Sequence, residues 1–320
     1  MRNVGTDPNP RAKGCVNDRL DTINYGLQPV KPSLFVCYNL LSMIPSPRLL
    51  LTIDYESWYA PSRRYDFLSA EERRGLDGGF AHNALDPLLE RLKNVKTSVY
   101  LVGELVEWYP ELPQKIFDAG HEVGFHCQVH RPLTTVKDIE LDLQSSAEWR
   151  RQYHVRGFRA PMINTIEEVY PILARNNFIY SSSLYAPTGT ILRKGAIWEV
   201  PVSTFPLLGR PAKIQAPRRM NLPLVLGGEF PYGSSMMSGL FTKLVFNIIE
   251  RELKTGASPV IFLHPYEIIP PERWPARFTR DLLSNPLLYP FTFSKSNFLN
   301  DLLRSFPMST LADFVKESTQ

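Results

Sequence analysis

The chain has 320 residues, of which 43% are hydrophobic and 21% are charged, a composition typical of a folded globular protein. Its net charge is only +4, and there is no basic stripe with interleaved aromatic residues, which argues against nucleic acid as a partner. Three widely spaced cysteines, Cys15, Cys37 and Cys127, do not form a disulfide framework and favour a reducing compartment.

The first part of the chain differs in composition from the rest. Residues 1–46 contain scattered proline, asparagine, aspartate and glycine without apolar periodicity, so we expect an extension with little fixed structure. We find no apolar stretch of the signal-peptide type near the start, which predicts a cytoplasmic protein. The apolar run at 34–44 is shorter than the about 20 residues that cross a bilayer. We therefore expect no transmembrane segment, while peripheral contact with a membrane stays open.

From residue 47 onward, strand-like and helix-like segments alternate, and we interpret 47–320 as a single catalytic domain with helices at its C-terminal end. The predicted strands are 49–53, 96–102, 122–125, 155–158, 178–182, 197–202 and 259–263. The predicted helices are 81–93, 104–119 with a break at Pro110, 134–152, 166–175, 238–254, 295–305 and 310–317. A long aromatic and charged loop is expected at 57–79. This alternation predicts an α/β fold with parallel strands, either an open sheet or a barrel.

Polar residues follow four of the predicted strands at their C-terminal ends. They are Asp54 with Glu56, His126 with His130, Arg159, and His264. In an α/β barrel the C-terminal ends of the strands converge on one face, so these side chains can share a pocket. The two histidines are four residues apart, and on a helical turn both rings would lie on the same side. Neutral imidazole is a common metal ligand, so the spacing predicts a metal site.

Four motifs in this order resemble those of the NodB-like polysaccharide deacetylases, carbohydrate esterase family four. The resemblance covers about residues 48–268. The motifs are Thr-Ile-Asp-Tyr-Glu at 52–56, Gly-Phe-His-x-x-x-His at 124–130, Gly-Phe-Arg-Ala-Pro at 157–161 and Phe-Leu-His-Pro-Tyr-Glu at 262–267. The resemblance implies a distorted (β/α)7 barrel that holds one divalent metal, most often Zn²⁺, with Co²⁺ or Ni²⁺ as alternatives. It also implies hydrolysis of the amide of an N-acylated sugar or glycan.

Position by position, the resemblance implies a role for each polar residue. Asp54 matches the catalytic base, Arg159 the residue that orients it, and His264 the general acid. His126 and His130 match two metal ligands. This set is chemically coherent, because a carboxylate can take a proton from the attacking water and a protonated histidine can donate one to the leaving amine.

The first motif departs from the commonest family pattern, in which two aspartates are adjacent and the second is a metal ligand. Here that position is Tyr55, and the motif looks like an Asp-x-Glu subset. Residues i and i+2 of an extended segment point to the same side, so Asp54 and Glu56 can both face the pocket. We predict Glu56 as the third metal ligand, with Asp54 as the alternative.

The substrate-binding residues are harder to identify from the sequence. Trp58 and Tyr59 could form a wall that stacks on a sugar ring, or could pack within their own loop. Pro161 lies in the arginine motif and is a further candidate. Glu199 could approach His264 and adjust its pKa.

We predict a metal-dependent hydrolase that removes an N-acyl group, expected to be N-acetyl, from an amino sugar or from a lipid- or nucleotide-linked glycan intermediate. The alternatives are a hydrolase of another non-peptide C–N bond, such as a formamide or cyclic ureide, and a catalytically inactive glycan-binding homologue. The sequence does not assign an oligomeric state.

Overall fold

The computed structural model describes residues 46–209, 211, 213–272 and 274–319, and these belong to one compact unit, Ile44–Gln320. Apart from Ser46, the predicted extension at 1–46 lies outside the described residues. The strands are β1 (Leu50–Tyr55), β2 (Ser98–Val102), β3 (Glu122–Cys127), β4 (Gly157–Phe158), β5 (Tyr180–Ser181), β6 (Tyr185–Pro187), β7 (Leu192–Lys194), β8 (Ile197–Glu199), β9 (Val202–Pro206), β10 (Glu229–Phe230) and β11 (Val260–Leu263).

The larger sheet has eight strands among the described residues, in the order β11-β1-β2-β3-β4-β5-β8-β7. The first seven of these run parallel, and β7 pairs antiparallel with β8 as a hairpin. A smaller sheet, β10-β9-β6, lies beside the β11 edge, where Val260 N donates to Ser203 Oγ at 2.8 Å. The predicted α/β class is confirmed, and seven parallel strands agree with the expected distorted (β/α)7 barrel.

Helices cover the sheet and complete the alternation. They are α1 (Ala70–Asp77), α2 (Phe80–Leu92), α3 (Gly103–Trp108), α4 (Leu112–Asp118), α5 (Val136–Ser145), α6 (Ala147–Gln152), α7 (Val169–Arg175), α8 (Leu222–Leu226), α9 (Ser235–Leu240), α10 (Thr242–Lys254), α11 (Pro265–Ile268), α12 (Trp274–Ser284), α13 (Ser296–Ser305) and α14 (Leu311–Ser318). None of the helices in the described part of the chain is long and apolar enough to cross a bilayer.

The structure differs from the predicted elements in several places. The predicted loop at 57–79 contains α1, which begins with a capping box between Ser69 and Glu72. Most of α1 is charged, and even its buried positions Arg73 and Asp77 carry charged side chains, so its sequence lacks the apolar periodicity that would reveal a helix. The predicted helices at 134–152 and 238–254 are each divided in two. The short elements β6, β7, β10, α8 and α11 and the longer helix α12 were not predicted.

Strand β1 is the central positioning element of the site. All six of its residues are buried, because β11 and β2 pair with it on either side and the helices cover the sheet. Since β1, β3, β4 and β11 are parallel, their C-terminal ends lie at one edge of the sheet. These ends carry Asp54, His126, Arg159 and His264, so the topology brings together the residues that the sequence motifs single out.

Two glycines in the sheet make room for tyrosine rings on the neighbouring strands. Gly124 pairs with Tyr100, and a Cβ at Gly124 would lie 2.5 Å from the Tyr100 ring. Gly157 pairs with Tyr180, and a Cβ there would lie 2.2 Å from the Tyr180 hydroxyl. The two tyrosine hydroxyls are 2.9 Å apart and joined by a hydrogen bond. Both rings belong to the buried core beneath the site, so neither can move away easily.

We expect Gly124→Ala to destabilise the protein, because its methyl group would displace the packed Tyr100 ring. Overpacking of this kind costs about 1–3 kcal/mol in the free energy of unfolding, measured by urea titration. Gly75→Ala is the matched control. Gly75 lies in α1, and no atom lies within 4 Å of the position that its methyl group would take. There alanine should stabilise by about 0.5–1 kcal/mol, since glycine is a poor helix former. A change of the same sign in both variants would contradict the packing argument.

Candidate metal and catalytic site

Asp54 and Arg159 form a buried ion pair at the end of β1. Arg159 follows β4, is completely buried, and donates from Nη1 to Asp54 Oδ1 at 2.8 Å. Its other two side-chain nitrogens are also used, since Nε donates to Ser182 O at 3.1 Å and Nη2 donates to Ser182 Oγ at 2.8 Å. The guanidinium also lies 4.5 Å from the centre of the Tyr100 ring. These contacts leave Asp54 in one orientation.

Glu56 lies among three histidines on the same side of the chain as Asp54. The intervening Tyr55 points the other way, into the core, where its hydroxyl donates to Ala81 O. Glu56 Oε2 is 2.8 Å from His130 Nε2 and 3.6 Å from His126 Nε2. Glu56 therefore lies with the two motif histidines, while Asp54 pairs with Arg159.

The two histidines meet in a different way from the one that their spacing suggested. His126 is in strand β3 and His130 lies in the bend that follows it, so they do not share a helical turn. Their ring centres are nonetheless 5.3 Å apart. The chain bends back after β3, and this bend replaces the expected helical turn.

These three residues have the properties of a metal ligand set. Their ligand atoms all lie within 4.8 Å of one another. His126 Nδ1 is 2.8 Å from Arg159 O, a contact that favours a proton on Nδ1 and leaves Nε2 free to ligate. Glu56 Oε2 is buried and accepts no well-aligned hydrogen bond, although His130 Nε2 lies 2.8 Å from it. Carboxylate and imidazole atoms that approach without a hydrogen bond fit a shared divalent ion.

His264 follows β11 and faces the same carboxylate from another side. Its Nε2 is 3.5 Å from Glu56 Oε1, and its ring stacks on Tyr266 with the planes 9° apart. Its Nδ1 is 3.1 Å from Glu267 Oε2. Burial alone would lower the pKa of His264, but the Glu267 and Glu56 carboxylates outweigh it and the pKa is raised.

Glu267 is itself balanced by a buried lysine. Lys295 Nζ pairs with Glu267 Oε1, and the backbone N–H of Lys295 donates to Glu267 O at 2.7 Å. Burial raises the pKa of Glu267, but Lys295 and then His264 outweigh it, so the pKa is lowered. Glu267 is the last residue of the fourth motif, but the motif by itself predicts no role for it. Its spacing of i+3 from His264, at the start of α11, is the sequence feature that indicates a contact between the two side chains.

Glu199 does not approach His264, contrary to the possibility raised from the sequence. Its carboxylate is fully buried and accepts from Ser183 N at 2.7 Å and Leu184 N at 3.0 Å. The Tyr170 hydroxyl donates to its other oxygen at 3.3 Å. Glu199 therefore holds the turn after β5, the turn whose Ser182 anchors Arg159.

No protein-family model matches the chain, and no curated protein matches it either. Among solved structures, a candidate polysaccharide deacetylase from Mycobacterium smegmatis superposes with a TM-score of 0.50, at 18% identity over 81% of this chain and 92% of that one. This chain has the polysaccharide deacetylase fold. The resemblance inferred from the motifs is thereby confirmed at the level of the fold.

Two further structures align less well and carry no part of the argument. A pseudoenzyme of carbohydrate esterase family 4 from Bacillus anthracis is 14% identical, with 86% of this chain and 67% of that chain covered and a TM-score of 0.45. The peptidoglycan deacetylase PdaC from Bacillus subtilis is 11% identical, with 86% and 93% covered and a TM-score of 0.44.

In this polysaccharide deacetylase fold, the polar cluster opens into a cavity of about 470 Å³. Besides the motif residues, side chains that the sequence did not single out line the cavity. They include Arg63, Met162, Ile163, Asn164, Tyr185, Arg219, Met220, Asn221, Ser234 and Phe291. Most of them come from loops far apart in the chain, so no local pattern marks them.

The predicted substrate-binding aromatics are not part of this lining. Trp58 and Tyr59 are 3% and 4% exposed and pack edge to face on each other and on Tyr65. The prediction that they form a sugar-stacking wall is corrected: they form the interior of their own loop. Pro161 is also buried outside the lining, while its neighbours Met162 and Ile163 line the cavity. Both neighbours have positive φ, 57° and 51°, a strained conformation for a β-branched isoleucine.

We expect Lys295→Met to destabilise the protein strongly, because it leaves the buried Glu267 carboxylate without its cation. Removing one member of a buried pair costs about 3–5 kcal/mol in the free energy of unfolding. Adding Glu267→Gln in the same chain should recover part of the loss. Lys254→Met is the matched control, because Lys254 pairs with Glu250 on the surface and should contribute less than about 1 kcal/mol. Urea titration in the presence of a chelator gives these values, and equal losses for Lys295→Met and Lys254→Met would contradict the assignment.

Proposed function

We propose that the protein is a metal-dependent hydrolase that removes an N-acyl group, in the first instance N-acetyl, from an amino sugar or glycan intermediate. The observation that carries this proposal is the buried cluster of Glu56, His126 and His130, with Asp54 and His264 beside it. It provides a ligand set, a base and an acid around one cavity, which is the set of groups that amide hydrolysis needs.

Glu56, His126 and His130 would hold one divalent ion, Zn²⁺ or alternatively Co²⁺ or Ni²⁺. This assignment puts the chain in an Asp-x-Glu subset of the fold family. Bound there, the ion would polarise the amide carbonyl and make a water molecule more acidic. Two nitrogens and one carboxylate oxygen suit these borderline metals better than Mg²⁺ or Ca²⁺, which prefer oxygen ligands.

Asp54 would act as the base. Arg159 donates a hydrogen bond to one oxygen of the Asp54 carboxylate, so the other oxygen is left to accept a proton from the attacking water. As the water oxygen bonds to the amide carbon, its proton passes to Asp54. Arg159 would thus be a positioning residue, which acts through Asp54.

His264 would act as the acid. Glu267 lies at its Nδ1 and favours the protonated ring, while Nε2 faces the cavity. When the C–N bond breaks, the Nε2 proton would pass to the amine nitrogen. The products are a carboxylic acid, acetic acid for an N-acetyl substrate, and a free amino sugar.

We expect the wild type to retain about one divalent ion per chain after incubation with zinc and desalting, measured by mass spectrometry of the metal. His126→Ala and Glu56→Ala should both lose it, because each removes one of three ligands. Asp54→Asn should keep it, since Asp54 pairs with Arg159. Metal retained in Glu56→Ala and lost in Asp54→Asn would transfer the ligand role to Asp54.

Asp54→Asn should lower the rate of amine release from N-acetylated sugars by roughly 100- to 10,000-fold, because the amide cannot accept the proton. The exposed Lys243→Ala is the control and should match the wild type. The assay is release of free amine from a panel of N-acetyl and N-formyl sugars by the zinc-loaded protein. Wild-type rates for Asp54→Asn would remove Asp54 from the mechanism, and release from N-formyl sugars alone would identify a deformylase.

A further inference from the structure

The lining of the cavity beside the proposed metal ligands includes an arginine whose charge no described residue neutralises. Arg219 lines the cavity, is exposed, and makes no hydrogen bond or ion pair with another residue in the described part of the chain. The carboxylates of the lining are already engaged: Asp54 pairs with Arg159, and Glu56 lies against the histidines. With a divalent ion bound, the cavity would become more positive still.

Residues on both sides of Arg219 fix the position of its backbone. The preceding residue, Arg218, donates from Nε to Tyr185 O at 2.6 Å and accepts from Tyr185 N at 3.0 Å. Its guanidinium also pairs with the buried Glu229. Two residues after Arg219, the Asn221 side chain caps the start of α8 by accepting from Leu224 N at 3.0 Å. Arg219 therefore extends from a loop that is anchored immediately before and shortly after it.

The rest of the lining suits an occupant of sugar size. A volume of about 470 Å³ is in the range of small-molecule pockets. Phe262, Phe291 and Met220 supply apolar walls that suit the faces of a sugar ring. A second arginine, Arg63, also lines the cavity, with its Nε 3.3 Å from Asp66 on an exposed surface. Such surface pairs are weak, so Arg63 remains available to a charged ligand.

From these observations we infer that the substrate is an N-acylated sugar with an anionic group, a phosphate or a carboxylate, which Arg219 binds. This inference rests on the proposed function, and it narrows the substrate from N-acylated sugars in general to those that carry an anionic group. A guanidinium binds such oxyanions in a fork, with two parallel hydrogen bonds. Arg219 is thereby a specificity-determining residue, separate from the groups that act on the amide.

The first arm of the test measures hydrolysis by the zinc-loaded wild type. The substrates are neutral N-acetylglucosamine, N-acetylglucosamine 1-phosphate and an N-acetylhexosaminuronic acid. We expect kcat/KM to be higher for at least one charged sugar, and the preferred sugar identifies phosphate or carboxylate as the anion. In Arg219→Ala the ratio of charged to neutral kcat/KM should fall about ten- to hundredfold, as for loss of a charged hydrogen bond. Arg219→Lys should restore part of the preference for the charged sugar, and Lys243→Ala should leave that preference at the wild-type level.

The second arm measures binding without turnover, by calorimetric titration of the same three sugars into Asp54→Asn. Tighter binding of a charged sugar, lost when Arg219→Ala is added, would support the inference even if no sugar is hydrolysed. Equal binding of all three sugars, or none, would overturn it. Hydrolysis of the neutral sugar without any charge preference would overturn the inference and leave the proposed function intact. Absence of hydrolysis in the metal-loaded wild type, together with selective binding, would reject the proposed function alone.

Discussion

The site depends on the burial of one guanidinium. Arg159 is completely removed from solvent, and an isolated charge in that position would be very costly, so each of its three side-chain nitrogens needs a partner. The partners are Asp54 and Thr52 of β1 and both oxygens of Ser182 after β5. The arginine's own carbonyl lies against His126 of β3. One buried cation thus sets the relative positions of the proposed base and a proposed metal ligand across several strands.

Two buried carboxylates support this arrangement from outside the reaction centre. Glu199 holds the turn that contains Ser182 by accepting from two consecutive backbone N–H groups. Glu267 holds the ring of His264 and is balanced by Lys295. Lys295 and His264 offset the cost of burying the Glu267 charge, whereas burial of Glu199 raises its pKa despite its hydrogen bonds. Both groups are nonetheless fixed by several hydrogen bonds, and the result is a rigid frame. Rigid support of this kind is what keeps reactive groups within hydrogen-bonding geometry.

The cavity walls are built differently from the buried, hydrogen-bonded groups that support the site. Its walls come from loops, and these loops contain the strained residues Met162 and Ile163 and also Arg219, which has no partner among the described residues. Backbone strain is unfavourable for folding and persists where the surrounding structure holds it, whereas the exposed charge of Arg219 is solvated and is available to a ligand. The buried frame and the loop-built walls thus separate the groups proposed to act on the amide from the groups that contact the rest of a substrate.

The sequence by itself determined the α/β class, the order of the buried strands and the chemistry-bearing motifs at their ends. These are local signals, because buried parallel strands are continuous apolar runs and their polar ends interrupt them. Only the tertiary structure decided that Glu56 lies with the histidines, that Trp58 is buried, and that Glu267 and Arg219 belong to the site. Such facts depend on which side chains from distant loops meet, and on the strand and bend that bring His126 to His130. Residue spacing pointed to Glu56 and offered a signal for Glu267, but it carries no information about contacts between distant loops such as the one that contains Arg219.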